Sequence, residues 1–408
     1  MNKKYDLVLL TLNFYPGTEA TSKLLTDLIF FLSEKKLKIL VISPNRLYLT
    51  PEKKLKNFEK INDNLDILRL RVPKLDKNKG FQKILLFYLF SKKIKKILKK
   101  TDYKIAFSLI PPFFTAYNAL KISDKKKSKF LFLVHDLHPD TMIRRKQVKE
   151  NSFIIKILKK QTHYLLKNST KIIVIGRDQK EYISKNYNIE SSKIEYIPNW
   201  SKDLYHKLKI NKDIKTKYYK EGFNILYAGN IGEAQIPQLE RFVLLMKKLE
   251  KLDDNINFII VGNGRKKNRL LDLKRKNEIN NIYFYDYVYN FEDYQNIMLY
   301  ADCYFLPLRK ESKGMSVPSK TYDYLSVGKP LISDIPIGSE IDLALKESGF
   351  GFNINNLSDD EAINKILKLK NDKNYYSLLS KNSRKTYENK YTLETSGNKY
   401  YDLIKSLL

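Results

Sequence analysis

The chain has 408 residues, of which 43% are hydrophobic and 12% aromatic, so we expect a folded protein of two domains and exclude a disordered one. Its single cysteine, Cys303, excludes an internal disulfide and a cysteine-based zinc site. The first residues lack a signal-peptide profile, and the longest apolar run, Ile84 to Phe90, is far shorter than a membrane-spanning helix, so we expect a cytoplasmic protein that is not integral to a membrane.

Short hydrophobic runs of strand length alternate with longer stretches of helical period, which indicates parallel sheets covered by helices. The first half is predicted to contain strands at Leu7–Leu12, Lys38–Ile42, Leu65–Arg71, Ile105–Ser108, Lys129–Val134 and Lys171–Ile175. Helices are predicted between them, for example over Ser22–Lys35 and Ser152–Leu166. The run Ile194–Trp200 is predicted to end a further strand and to open a polar, lysine-rich stretch, and we place a domain boundary there.

The alternation starts again after this stretch. Further strands are predicted at Asn224–Tyr227, Asn257–Val261, Asn281–Tyr285, Cys303–Pro307 and Lys329–Ser333. The predicted fold class is therefore α/β, with Rossmann-like domains over residues 1–200 and 201–385 and a cleft between them. We expect the final segment, 386–408, to form a helix that returns to the first domain.

The first predicted strand of the second domain ends in a glycine turn, Gly229-Asn230-Ile231-Gly232, that leads into a helix. Glycine lets the backbone approach a ligand and the amino end of a helix favours negative charge, so this turn is a candidate phosphate site. A similar turn, ending in Gly264, follows the next strand. An ordinary tight turn remains the alternative, because no G-x-G-x-x-G fingerprint occurs.

A second candidate is the segment Gly314–Pro330, which is predicted to contain a glycine loop, one helix and a Gly-Lys-Pro stop. Ser319 and Lys320 fall in the first helical turn, where a hydroxyl group and an ammonium group can bind phosphate together with free amides. Asp323 lies one turn further on, where its carboxylate could accept hydrogen bonds from both hydroxyl groups of a ribose. The alternative is an ordinary capped helix with a solvated lysine.

Taken together, these residues resemble the retaining GT-B glycosyltransferases of family 4, in particular the branch that builds O-antigen, capsule and colanic-acid repeat units. The runs that match in the second half are Leu226–Gln235, Val261–Gly264, Tyr300–Asp302, Val317–Lys320 and Gly328–Pro330. Those that match in the first half are Phe14–Pro16, Pro111–Pro112, His135–Pro139 and Ile197–Trp200. The resemblance covers nearly the whole chain.

The resemblance implies a nucleotide-sugar donor, for which we expect a UDP-sugar, bound by the second domain, and a lipid-linked glycan acceptor bound by the first. It implies no cofactor and no required metal ion. Within the donor site it assigns the diphosphate to the glycine turn and Lys320, the ribose to Asp323 and the donor sugar to the backbone of residues 314–316. The donor-binding residues that we expect are Gly17, Gly229, Asn230, Gly232, Gly264, Gly314, Met315, Ser316, Ser319, Lys320 and Asp323. Met315 stands where many members carry a glutamate, so the sugar contact stays unassigned.

His135 and Asp136 are the best candidates for a catalytic side chain near the acceptor. They follow the predicted strand Lys129–Val134, and open α/β sheets bind ligands at the carboxyl ends of their strands. With retention of configuration, the donor phosphate can itself take the acceptor proton, so a protein base is not required. The alternative is that Asp136 only orders the loop before a helix that His138-Pro139-Asp140 caps.

The net charge of +31 is uneven along the chain. Residues 1–200 carry 42 Lys and Arg against 18 Asp and Glu, whereas residues 201–408 carry 34 against 27, which indicates an anionic partner for the first half. Phe81–Lys100 carries seven lysines beside a large apolar surface, a composition typical of a helix on an anionic membrane. Arg144-Arg145-Lys146 and Lys156–Lys160 could add to this face. We therefore expect a peripheral protein on the inner face of the plasma membrane; an ordinary packed helix is the alternative.

Two other functions are compatible with the sequence. A UDP-sugar 2-epimerase of the same fold would share the diphosphate site, but it would need an acidic cluster in the cleft. The charge also permits a nucleic-acid-binding protein. We do not expect nucleic acid as a partner, because no helix-turn-helix, zinc or RNA-binding signature is present and the basic residues lie beside bulky apolar ones.

Overall fold

The most apolar segments of the sequence form central strands, in which every residue of Ile39–Pro44, Phe223–Ala228 and Ile256–Val261 is buried. Continuous burial is typical of parallel strands with helices on both faces. The computed structural model describes residues 4–47, 54–73, 80–110, 112–144, 148–204 and 209–408. Unit 1 contains Met1–Pro198, Gly314–Ser316 and Leu393–Leu408, and unit 2 contains Asn199–Lys313 and Val317–Thr392.

Strands and helices alternate along the first part of unit 1. In chain order they are β1 (Lys4–Leu10), α1 (Ala20–Glu34), β2 (Ile39–Pro44), β3 (Phe58–Lys60), β4 (Leu65–Leu70), α2 (Gly80–Lys100), β5 (Asp102–Leu109), α3 (Phe113–Lys126), β6 (Lys129–Val134), α4 (Asp140–Arg144), α5 (Phe153–Asn168), β7 (Lys171–Val174), α6 (Arg177–Tyr187) and β8 (Ile194–Tyr196).

The sheet of unit 1 has the strand order β3-β4-β2-β1-β5-β6-β7-β8. Every neighbouring pair is parallel except β3 with β4 at the edge. From β1, the strands β2, β4 and β3 extend the sheet to one side and β5 to β8 extend it to the other, so the strand order reverses between β1 and β5. The loops that follow these two strands therefore flank the crevice in which open α/β sheets bind ligands.

Unit 2 repeats this layout. Its elements are α7 (Lys212–Tyr218), β9 (Phe223–Ala228), α8 (Ile236–Leu252), β10 (Ile256–Val261), α9 (Lys267–Lys276), β11 (Ile282–Tyr285), α10 (Phe291–Tyr300), β12 (Cys303–Pro307), α11 (Lys320–Val327), β13 (Leu331–Asp334), α12 (Glu340–Ser348), β14 (Gly351–Asn353), α13 (Asp359–Asn371) and α14 (Lys373–Lys390). The strand order is β11-β10-β9-β12-β13-β14, all parallel, so the reversal falls between β9 and β12.

The last helix, α15 (Leu393–Leu407), groups with unit 1, where it packs on α1. Gly397 permits this contact, because a Cβ atom there would lie 2.7 Å from the Phe31 ring. The ring of Tyr400 is fully buried and lies 6.1 Å from that of Phe107 in β5. Residues 386–390, which we assigned to this final helix, instead continue α14.

The predicted α/β class and the two Rossmann-like layouts are confirmed. The predictions did not include β3 and β14, which are three residues long and carry no continuous apolar run. Pro111, Arg145 and Lys146, which appear in the sequence motifs above, lie outside the described residues.

Candidate functional site

The glycine turn after β9 lies at the strand-order reversal of unit 2, and its position depends on the turn after β10. A Cβ atom on Gly262 would lie 1.9 Å from the carbonyl oxygen of Gly229, and one on Gly264 would lie 2.2 Å from that of Ile231. Neither distance leaves room for a side chain, so both glycines are needed for the two turns to pack together. The structure thus gives Gly264 a packing role, in addition to the phosphate contact that we predicted.

The amide groups of the turn divide into two sets. Gly229 N donates to Val261 O at 3.0 Å and Ile231 N donates to Asn263 O at 3.0 Å, so these two extend the pairing of β9 with β10. In the part of the chain that the structure describes, the intervening amides of Asn230 and Gly232 donate no hydrogen bond. They are therefore the amides of this turn that a phosphate group could use.

Helix α11 packs on the strand that leads into this turn. The hydroxyl oxygen of Tyr324 accepts a hydrogen bond from Ala228 N, the last residue of β9, at 3.2 Å. Tyr324 is buried and stacks on Tyr304 of β12, with ring centroids 4.3 Å apart. The stack fixes α11 against the two strands at the reversal. Ser319, at the start of the helix, is exposed and its side chain does not cap the helix.

Lys320 and Asp323, which we predicted to contact phosphate and ribose, form an ion pair. Lys320 Nζ lies 3.3 Å from Asp323 Oδ2 and 2.9 Å from the hydroxyl oxygen of Tyr294, over whose ring it also lies. Tyr294 donates to Asp323 Oδ2 at 2.8 Å, and Ser201 Oγ donates to Asp323 Oδ1 at 2.6 Å. Both carboxylate oxygens are therefore held in place by neighbouring side chains.

Tyr294 and Ser201 were not predicted to belong to this site. Burial, reinforced by the Asp323 carboxylate, raises the pKa of Tyr294 well above its usual value, so its hydroxyl group stays protonated and donates. Ser201 directly follows the Asn199-Trp200 motif, but no spacing rule joins it to a helix more than a hundred residues away. Only the fold brings these groups together.

The backbone of Gly314 and Met315 makes hydrogen bonds to other residues of unit 1. Gly314 N donates to Asp178 Oδ2 at 2.8 Å, and the Met315 carbonyl accepts from Leu137 N at 3.0 Å and from Gln179 Nε2 at 3.1 Å. The Met315 side chain is fully buried in the core of unit 1. Within the backbone segment that we expected to contact a sugar, the Gly314 amide and the Met315 carbonyl are thus already engaged in hydrogen bonds.

His135 and Asp136 follow β6 at the carboxyl edge of the unit 1 sheet. Burial lowers the pKa of His135 to about 4, against a smaller opposite effect of the Asp136 carboxylate. Its imidazole is therefore neutral at pH 7 and a weak base, better suited to hydrogen bonding with a hydroxyl group than to taking a proton. The Asp136 carboxylate makes no side-chain hydrogen bond or ion pair with other described residues.

The glycine-bearing turn after β1 lies at the strand-order reversal of unit 1. Gly17 N donates to Phe14 O at 2.9 Å, and a Cβ atom on Gly17 would lie 2.5 Å from Ser22 Oγ. Arg69, a buried residue of β4 that was not predicted to belong to the site, donates to the Tyr15 carbonyl at 3.1 Å and pairs with Glu59. Arg69 therefore holds this turn in place against the sheet.

The helix that we predicted to lie on a membrane forms as α2, but most of its apolar surface faces the core. Phe87, Phe90, Ile94 and Leu98 are buried, whereas Ile84 and Tyr88 are exposed. This corrects our expectation of one large apolar face on Phe81–Lys100, because packing on the sheet uses that face. The side chain of Phe81 lies outside the described residues.

Within the described ranges, none of the helices is long and apolar enough to cross a bilayer. Those residues also contain no group of three or more His, Cys, Asp or Glu side chains that could hold a metal ion.

Comparison with known proteins agrees with this architecture. The family model for Glycosyltransferase Family 4 matches residues 22–200, and that for Glycosyl transferases group 1 matches residues 209–386. With its two Rossmann-like units, the chain is a glycosyltransferase of the GT-B fold.

Individual relatives are distant. A probable glycosyltransferase, WbjE of Pseudomonas aeruginosa, is 22% identical over 306 residues, which are 72% of this chain and 73% of that protein. The sucrose-phosphate synthase of Thermosynechococcus elongatus has a similar structure, with a TM-score of 0.74, 12% identity and coverage of 99% of both chains. Anabaena Alr3699/HepE, solved in complex with UDP and glucose, has a TM-score of 0.69 at 12% identity, over 98% of this chain and 100% of that one.

Proposed function

We propose that this glycosyltransferase moves a hexose or N-acetylhexosamine-type sugar from a UDP-sugar to a lipid-linked glycan, with retention of configuration, in the synthesis of a surface polysaccharide. The observation that carries the donor assignment is the cluster in unit 2 at the strand-order reversal. There, the free amides of Asn230 and Gly232 belong to the turn after β9, and Lys320 and Asp323 belong to the helix packed on that strand. The similar structure solved with UDP and glucose supports the choice of nucleotide.

In this proposal the amides and the Lys320 ammonium stabilise the charge that develops on the departing diphosphate. The acceptor hydroxyl oxygen bonds to the anomeric carbon while the bond from that carbon to the diphosphate oxygen breaks. The acceptor proton passes to the departing phosphate oxygen or to Asp136. Asp323 accepts hydrogen bonds from the ribose, and His135 orients a hydroxyl group.

The lysine and the amides supply positive charge at the diphosphate, so we propose that transfer needs no metal ion. Activity that survives dialysis against EDTA, with a panel of nucleotide sugars as donors, would support this part. The proposed acceptor and the polysaccharide role rest on the resemblance of the sequence to the family 4 branch described above. A lipid-linked glycan is therefore the acceptor in this transfer assay.

Calorimetric binding of UDP to the full chain tests the donor site. Lys320→Ala should weaken UDP binding by at least roughly tenfold, because a charged group is removed from the diphosphate. Lys320→Arg, which keeps the charge, should lose less. Lys381→Ala is a matched control, since Lys381 is an exposed lysine of α14 in the same unit. Unchanged UDP affinity in a folded Lys320→Ala variant would disprove the site.

A further inference from the structure

Three exposed apolar side chains lie at the amino end of α5 in unit 1. Phe153 is 78% exposed, Ile154 61% and Ile157 38%. Phe153 and Ile157 are one helical turn apart and share a face with Lys160, and Lys156 borders that face. Large apolar groups are rarely left together in water unless they bind something.

The residues around this patch are basic. Neither α2 nor α5 contains an Asp or a Glu. In α2 the exposed stripe begins with Ile84 and Tyr88 and continues with lysines, namely Lys92, Lys95, Lys96 and Lys99. Lys156 and Lys160 of α5 are exposed and make no ion pair with described residues, whereas Lys159 is paired with Glu150.

The sheet topology brings the apolar ends of both helices to one edge. α2 leads into β5, α3 leads from β5 into β6, and α5 leads into β7, and these strands are parallel. Each helix therefore runs antiparallel to the strands, with its amino end at their carboxyl edge. α3 lies between α2 and α5 and contacts both. The exposed apolar groups thus lie at the edge of unit 1 that also carries His135 and Asp136.

We propose that the amino ends of α5 and α2 form a docking surface for an anionic lipid bilayer, into which Phe153, Ile154, Ile157, Ile84 and Tyr88 insert. Charge complementarity selects this occupant, because the surrounding lysines match anionic headgroups and the apolar tips match acyl chains. The proposal deepens the proposed function by placing the membrane beside the acceptor edge. The proposed surface differs from one formed by α2 alone, because most of the apolar residues of α2 are buried.

Vesicle flotation of the full chain tests this surface. The wild-type chain should float with vesicles of phosphatidylglycerol and phosphatidylcholine at low salt, float less at high salt, and stay in solution with phosphatidylcholine alone. F153S/I157S should lower the bound-to-free ratio by roughly tenfold. K156Q/K160Q should lower it by a similar factor.

Matched controls come from unit 2. L252S/L378S removes two exposed leucines, and K381Q/K385Q removes two exposed lysines; neither should change flotation. No flotation of the wild-type chain at low salt would overturn the proposal, as would equal losses in the test and control variants. Salt-sensitive RNA binding that depends on Lys156 and Lys160 but not on Phe153, without flotation, would overturn it in favour of a nucleic-acid surface.

Flotation uses neither donor nor acceptor, so its outcome does not depend on glycosyl transfer. F153S/I157S should keep wild-type transfer to a water-soluble acceptor analogue and an unchanged melting temperature. If flotation fails while transfer succeeds, only the docking surface is wrong. If transfer fails while flotation succeeds, only the proposed function is wrong.

Discussion

The hydroxyl group of Tyr294 donates to the same oxygen of Asp323 that Lys320 approaches, at 2.8 Å and 3.3 Å respectively. Tyr294 of α10 thus holds Lys320 and Asp323 of α11 in fixed positions relative to each other. In the proposed function, one of these groups binds phosphate and the other binds ribose, so Tyr294 positions both halves of a nucleotide site without contacting the nucleotide.

Tyr294→Phe removes the donor to Asp323 and keeps the ring under Lys320. Hydrogen bonds to charged groups contribute about 1.5–3 kcal/mol, so we expect UDP affinity to fall by roughly tenfold or more. Pyrophosphate affinity should fall less than UDP affinity, because the Lys320 ammonium is retained and loses only its contact with the tyrosine hydroxyl group. Calorimetry with both ligands checks this, and Tyr289→Phe, at an exposed tyrosine of the same unit, is the control. Equal losses for UDP and pyrophosphate would contradict a ribose role for Asp323.

Gly264→Ala should separate the two glycine turns of unit 2, since its Cβ atom would lie 2.2 Å from the Ile231 carbonyl oxygen. We expect a destabilisation of about 1–3 kcal/mol together with weaker UDP binding. Gly349→Ala is the control: its left-handed backbone (φ 60°) also disfavours alanine, by about 1–2 kcal/mol, yet it lies at the end of α12. Denaturant unfolding measures the stability of each variant, and calorimetry measures its affinity for UDP. A stable Gly264→Ala chain with full UDP affinity would refute the packing argument.

His135 should make stability depend on pH. Its pKa is lowered to about 4, from 6.5, by burial, so the unfolded chain binds a proton between these values that the folded chain does not. The free energy of unfolding contributed by this group is therefore fully present above pH 6.5 and is lost as the pH falls towards 4. Urea unfolding of the wild-type chain and of His135→Asn across this window measures it. Parallel pH profiles for the two would contradict the lowered pKa.

Asp136→Asn tests whether a side chain takes the acceptor proton. If Asp136 acts as the base, kcat should fall by at least roughly tenfold while the KM for the donor is kept. Asp124→Asn, at an exposed position of α3, is the control. Full turnover of Asp136→Asn would remove this residue from the mechanism and leave the proton to the donor phosphate.

The sequence predicted much of the fold because its strands are short apolar runs separated by helices of regular period. Phe223–Ala228 illustrates this, since it is fully buried and ends in a glycine turn. Strands without such runs were missed, as with Phe58–Lys60, whose side chains are mostly solvent-facing. The apolar face of α2 was misinterpreted because core packing and membrane binding require the same pattern.

The site was predictable only where its residues are neighbours in sequence. Lys320 and Asp323 share one helix, and their spacing placed them on a common face. Tyr294 and Ser201 reach Asp323 from other elements, and no local pattern encodes such a contact. The packing role of Gly264 likewise depends on Ile231, in a different turn.

The grouping of α15 with unit 1 has a consequence for synthesis of the chain. Unit 2 has received all of its residues by Thr392, but the first sheet still lacks the helix that covers Phe107 and contacts Phe31. On the ribosome, the first sheet therefore cannot complete its packing until α15 has been synthesised. A nascent chain arrested before Leu393 would leave apolar surface of the first sheet uncovered and available to chaperones.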